Sequence, residues 1–171
     1  MINEIKENIW HFNFVPFGSD VYLIKLNKKN ILIDTSSEPN KEALMSHLKQ
    51  LNITPKQIDI IILTHDHWDH TDNALDFKNA KIYGHKKDFD FPEVIDIKKL
   101  PIKEFQIIET PGHTKGGIAI LYEDVLFSGD TLFHNGIGRT DFPESEPEKM
   151  QESLDKLKKL NYKILCPGHE Y

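Results

Sequence analysis

A single cysteine, Cys166, and a single arginine, Arg139, stand in a chain of 171 residues whose other basic residues are all lysine. One thiol cannot close an internal disulfide, so no cystine framework holds this fold. No run of five or more basic residues occurs, and 21 Lys+Arg against 27 Asp+Glu leave a formal charge of −6. That balance argues against binding by neutralisation of a nucleic-acid backbone. Long apolar runs are missing too: Ile60-Ile61-Ile62-Leu63 falls far short of the roughly 20 residues that span a bilayer. The N-terminal MINEIKENIW lacks the basic segment, apolar core and small-residue cleavage site of a secretory signal, and a cytoplasmic chain is expected. Neither repeats, low-complexity tracts nor a Gly/Pro-rich linker divide the sequence, so one domain over residues 1–171 is expected. With 39% hydrophobic residues, a chain of this size buries about two-thirds of its surface without staples.

What is present begins with strands. Ile9 to Phe12 and Val21 to Ile24 flank a Pro-Phe-Gly-Ser turn at residues 16–19, and Asn27 to Asn30 turn the chain into Ile31-Leu32-Ile33-Asp34. Ser37 or Glu38 then opens a helix with Leu44, Leu48 and Leu51 at helical spacing, and the apolar run Ile58 to Leu63 reads as a strand buried on both faces. Gln106 to Thr110, Gly117 to Tyr122 and Val125 to Ser128 form three further short strands. Pro147 sets the start of a helix with Met150, Leu154 and Leu157 on one face, followed by a strand from Lys163 to Cys166. Two mixed sheets covered by helices fit this order better than one all-parallel sheet.

Chemistry concentrates in Thr64-His65-Asp66-His67-Trp68-Asp69-His70, directly after the buried strand. His65, His67, Asp69 and His70 match neither a helix face nor a strand face, and a loop curling around metal is expected. Imidazole and carboxylate suit zinc, iron or manganese, and four such ligands within six residues exceed the needs of one tetrahedral ion once ligands from elsewhere are added; two ions are implied. His113, Asp130 and His169 each follow a predicted strand on a Gly-containing turn, where backbone can approach closely. His11, His47, His85 and His134 have no such context and read as ordinary surface or core histidines. Trp68 and the Asp88-Phe89-Asp90-Phe91-Pro92 stretch read as packing, and Cys166 as a small buried hydrophobe.

The pattern His65-x-His67-x-Asp69-His70, then His113, Asp130 and His169 in that order, resembles the metallo-β-lactamase superfamily from about Asn8 to the end. The resemblance implies a four-layer αββα sandwich of two mixed β-sheets. It implies one divalent ion, zinc above iron or manganese, on His65, His67 and His113, a second on Asp69, His70 and His169, and Asp130 bridging both. Asp34 matches the superfamily's strand-terminal aspartate, supporting a ligand rather than serving as one.

Gly129-Asp130-Thr131-Leu132-Phe133, residues 136–143 and the closing Gly168-His169-Glu170-Tyr171 resemble glyoxalase II-like thioester hydrolases. That implies cleavage of a small-molecule acyl-thiol such as a hydroxyacylglutathione by a metal-bridging hydroxide, with Asp69 and Asp130 as catalytic carboxylates. Arg139 matches a basic residue contacting the carboxylate of the thiol carrier; the alternative is a salt bridge to Asp141. The sequence departs from glyoxalase II in lacking its C-terminal helical domain, and a homodimer covering the exposed sheet flank is expected. Persulfide dioxygenases share a Gly-x-Gly-Arg-Thr-Asp-Phe string and would imply instead one iron on His65, His113 and Asp130. A true lactamase, a flavodiiron protein and an RNA-processing enzyme fit less well, the last because of the acidic charge and the lone arginine.

Overall fold

The structure, a computed structural model, describes residues 1–14 and 17–169. The chain forms two compact units interleaved along the sequence: one from Met1–Leu63, His67–Tyr83 and Glu93–Ile95, the other from Thr64–Asp66, Gly84–Pro92 and the chain from Asp96 on.

The first unit is a seven-stranded mixed sheet whose spatial order follows the sequence: β1 (Ile2–Lys6), β2 (Ile9–Phe12), β3 (Val21–Leu26), β4 (Lys29–Ile33), β5 (Ile58–Ile62), β6 (Lys81–Gly84) and β7 (Val94–Asp96). β1 to β4 run antiparallel as hairpins, whereas β5 lies parallel to both β4 and β6. The β3–β4 connection places Asn27 and Lys28 at φ 51° and 64°, the two-residue turn whose twist matches that of its strands. Pro16, part of the expected turn before β3, lies outside the described residues. The isoleucine run of β5 is buried except at Asp59, whose carboxylate accepts the Asn30 amide across the sheet at 2.8 Å. Such an apolar strand is what parallel neighbours on both sides require.

The helix expected from Ser37 or Glu38 starts later: a 3-10 turn covers Glu38–Asn40 and α1 runs Lys41–Gln50, burying Leu44, His47 and Leu48. Part of the metal-ligand segment is helical rather than loop, because α2 (Trp68–Thr71) makes one turn with His67 as its N-terminal flank. That turn satisfies its own backbone: the His70 N–H donates to the His67 carbonyl at 2.9 Å, and Thr71 Oγ1 donates to the same oxygen at 3.0 Å.

The second unit carries a four-stranded mixed sheet in the order β13-β10-β9-β8, built from β8 (Phe105–Glu109), β9 (Ile118–Tyr122), β10 (Val125–Gly129) and β13 (Ile164–Pro167), with β13 parallel to β10. A small hairpin, β11 (Leu132–Phe133) and β12 (Gly136–Ile137), follows β10. α3 (Pro147–Lys158) buries Leu157 against Ile108, Ala119 and Leu126 of this sheet, and Ser153 Oγ donates to the Pro111 carbonyl at 2.6 Å. No helix among the described residues is long and apolar enough to cross a membrane.

Candidate metal centre

In the first unit, β4 and β5 end beside each other, and the chain leaves β4 through Asp34 and Ser36 in the left-handed region, at φ 57° and 58°. Two non-glycine residues in that region cost free energy, and the surrounding hydrogen bonds enforce the conformation. The Asp34 N–H donates to the Ile62 carbonyl at 2.9 Å, and Thr35 donates from both its N–H and its hydroxyl to the His70 carbonyl at 2.8 and 3.0 Å. Asn73 Nδ2 reaches the carbonyls of Thr35, Ser36 and Ser37 at 2.8 to 3.1 Å.

This frame turns the Asp34 carboxylate toward His70, whose Nδ1–H donates to Asp34 Oδ2 at 2.8 Å with both side chains buried. An imidazole whose Nδ1 carries the proton presents the Nε2 lone pair to a metal. Asp69 and His67, partly buried, flank it in α2, and the Ser19 N–H fixes the Asp69 carbonyl at 2.9 Å.

In the second unit, His65 and His113 meet edge to face, ring centroids 4.8 Å apart, with His65 Nδ1 lying 3.1 Å from Thr64 Oγ1. His113 donates its Nδ1–H to the Arg139 carbonyl at 2.6 Å, so its Nε2 is again the lone-pair nitrogen. That nitrogen lies 3.6 Å from Asp130 Oδ2, and His169 Nε2 lies 3.5 Å from the same oxygen. Both separations are long for hydrogen bonds and close to the distance of about 3.4 Å between neighbouring ligands on a tetrahedral ion with bonds near 2.1 Å. The donor set therefore fits a divalent cation.

Gly129 makes this approach possible: its φ is 51°, and a Cβ there would stand 2.9 Å from Thr64 Cβ and Oγ1. At Gly138 a Cβ would collide with the Asp130 carbonyl oxygen, so the segment carrying Arg139 lies directly against the Asp130 backbone.

Each of His65, His67, Asp69, His70, His113, Asp130 and His169 belongs to a group of His and Asp side chains suited to holding a metal ion. Arg139 is different. Its Nε and Nη2 donate to the two oxygens of Asp141 at 2.9 and 2.8 Å, both side chains exposed, and its guanidinium lies 4.6 Å from the Phe142 ring centre. The guanidinium hydrogen bond holds the Asp141 carboxyl below its ordinary range. The salt bridge weighed as the alternative is thus the contact present, and Arg139 holds His113 through its backbone.

Of the four histidines outside the expected ligand set, three have other partners. His11 stands 3.0 Å from Asp20 and stacks on Tyr22, His47 packs between Phe12 and Phe14, and His85 faces Glu109 at 3.4 Å. His134 sits exposed in the turn of the β11–β12 hairpin. Trp68 does not pack inside as expected: it is 57% exposed, because α2 turns its first residue outward, whereas Phe89 is fully buried. Asp88, passed over with the aromatic stretch around it, takes hydrogen bonds from Thr114 Oγ1 and the Gly116 N–H at 2.6 and 2.5 Å. Its sequence signal was no more than a lone aspartate beside aromatics.

Comparison with known proteins agrees with this donor chemistry. The sequence model of the Metallo-beta-lactamase superfamily matches residues 15–87 and 80–169. A probable metallo-hydrolase of Methanocaldococcus jannaschii is 40% identical over 144 residues, 82% of this chain and 70% of that protein. A hydroxyacylglutathione hydrolase of Hydrogenovibrio crunogenus is 40% identical over 126 residues, covering 67% of this chain but only 46% of that enzyme. Among solved structures, a protein crystallised in a di-iron-bound form superposes with a TM-score of 0.79 at 25% identity, covering 94% of this chain and 92% of that one. The fold is therefore α+β with two mixed sheets, shared with metallo-β-lactamase-fold proteins.

Proposed function

The chain belongs to the metallo-β-lactamase superfamily, and on that premise we propose that it is a metal-dependent hydrolase that cleaves a thioester of a small acyl-thiol. The observation that carries the reading is that Nε2 of His113 and Nε2 of His169 both approach one Asp130 oxygen, at 3.6 and 3.5 Å. In this reading His65, His67 and His113 hold one divalent ion, Asp69, His70 and His169 a second, and Asp130 belongs to both.

When bound, such a pair would supply an acidified water and polarise the substrate carbonyl. The chain's own residues set the frame for that chemistry. Asp34 and the Arg139 carbonyl fix the tautomer and aim of His70 and His113. Asp69, partly buried beside them, orients the attacking water. The proposed thioester specificity draws on the hydroxyacylglutathione hydrolase likeness. Arg139 is the proposed anchor for a carboxylate on the thiol carrier, exchanging Asp141 for the substrate; their ion pair is exposed, where solvent screens it and little opposes the exchange.

The test is elemental analysis of protein purified without chelator, with a thioester-cleavage assay on the same sample. About two divalent ions per chain and cleavage abolished by a chelator are expected. One iron per chain, with oxygen consumed on a persulfide and no thioester cleaved, overturns the reading in favour of a mononuclear-iron dioxygenase.

A further inference from the structure

Asp88 takes no part in the donor set, yet its carboxylate joins two of the segments that carry it. Oδ1 accepts the Gly116 N–H at 2.5 Å, while Oδ2 accepts the Thr114 hydroxyl at 2.6 Å and the Asp66 N–H at 3.4 Å. Asp66 stands between His65 and His67, and Thr114 directly follows His113. The fit is close: a Cβ on Gly116 would come within 2.8 Å of Asp88 Cγ and Oδ1. Thr114 is buried and Asp88 partly so, which shields these bonds from competing water.

We propose that Asp88 is a positioning residue that ties the backbone beside His65 to the His113 turn, so that these two imidazoles are preorganised for the cation. This role rests on the metal-centre reading given above. Three donors converge on its two oxygens, so the one carboxylate ties the Asp66, Thr114 and Gly116 segments together.

Asp88→Asn therefore makes a selective cut. With its oxygen kept on the Gly116 N–H, the shortest of the three contacts, the new amide faces Thr114 Oγ1, and that hydroxyl can rotate to accept. The Asp66 N–H then meets a donor and loses its contact with residue 88. Thr114→Val cuts the other tie, and Thr114→Ser restores it.

The experiment measures zinc affinity by chelator competition, together with backbone hydrogen exchange of the metal-free protein, for the full chain and these variants. For Asp88→Asn we expect faster exchange at the Asp66 amide with Gly116 little changed, zinc affinity lower by roughly 10- to 100-fold, and a metal-free melting temperature near that of the parent. Thr114→Val is expected to weaken zinc binding in the same range and Thr114→Ser to recover it, which keeps the test open if Asp88→Asn fails to fold. Faster Asp66 exchange with unchanged zinc affinity overturns the positioning role while leaving the metal centre standing. A parent chain that takes up no zinc, iron or manganese overturns the metal centre itself, and this role with it.

Discussion

His70 donates to the Asp34 carboxylate, and that partner sits in a backbone conformation that few residues tolerate. Asparagine suits the left-handed region and still offers an oxygen to the His70 Nδ1–H, so Asp34→Asn removes charge while keeping geometry. Metal affinity is expected to fall about 10-fold with the metal-free melting temperature nearly unchanged, read by chelator competition and calorimetry. His47 makes a different prediction. Burial beside Phe12 and Phe14, with the N-terminal ammonium adding to it, pushes its pKa below the ordinary value. The unfolded chain then protonates first as pH falls, so the stability His47 contributes above about pH 6.5 is lost as the pH drops toward the folded value. His47→Phe should flatten the fall in urea midpoint between pH 7.5 and 5.5; an unchanged slope would show that the acid sensitivity resides elsewhere. For Arg139, replacement by methionine keeps the carbonyl that holds His113 and should raise KM with kcat nearly unchanged if the side chain anchors substrate, whereas an unchanged KM would remove it from substrate binding.

The elements most readable in the sequence are those with period or punctuation. β2, β3, β5, β8, β9, β10, α3 and β13 lie within a residue or two of where alternation, apolar runs and Pro147 placed them. β6, β7, β11 and β12 are not legible in the sequence, because strands of two to four residues hold no period. β1 was missed for another reason: its residues Ile2 to Lys6 are mostly exposed or half-buried, and Asn8 at φ 64° makes the turn that pairs it. The proposed ligand residues stand out in the sequence because imidazoles and carboxylates are crowded at strand ends. Asp88 does not, since nothing local distinguishes an aspartate that accepts three bonds from one that is merely solvated. At this scale the turn after β10 is the most sensitive point. Gly129→Ala should destabilise the protein by roughly 1–3 kcal/mol, since it combines positive φ with a contact into Thr64, and the loss should appear as a lower denaturation midpoint with unchanged m-value.

Across the whole molecule, the proposed ligands come from segments far apart in the sequence, from His65 in its first half to His169 near its end. A cation held by all of them stabilises only the folded chain. At a metal concentration about 1,000 times Kd that linkage is worth about 4 kcal/mol, which for a chain of this length is roughly 8–16 °C in Tm. Chelation should lower the melting temperature by an amount of that order, and restoring zinc should reverse it; a melting temperature indifferent to chelator would mean that the centre contributes nothing to folding. The outward Trp68 offers a direct view of the same event. It lies between His67 and Asp69 and is exposed, while the other indole, Trp10, lies half-buried on β2 beneath the Lys25 ammonium. In a Trp10→Phe variant the fluorescence of the protein would come from one residue inside the ligand segment, giving the chain a built-in optical reporter of its own metal content.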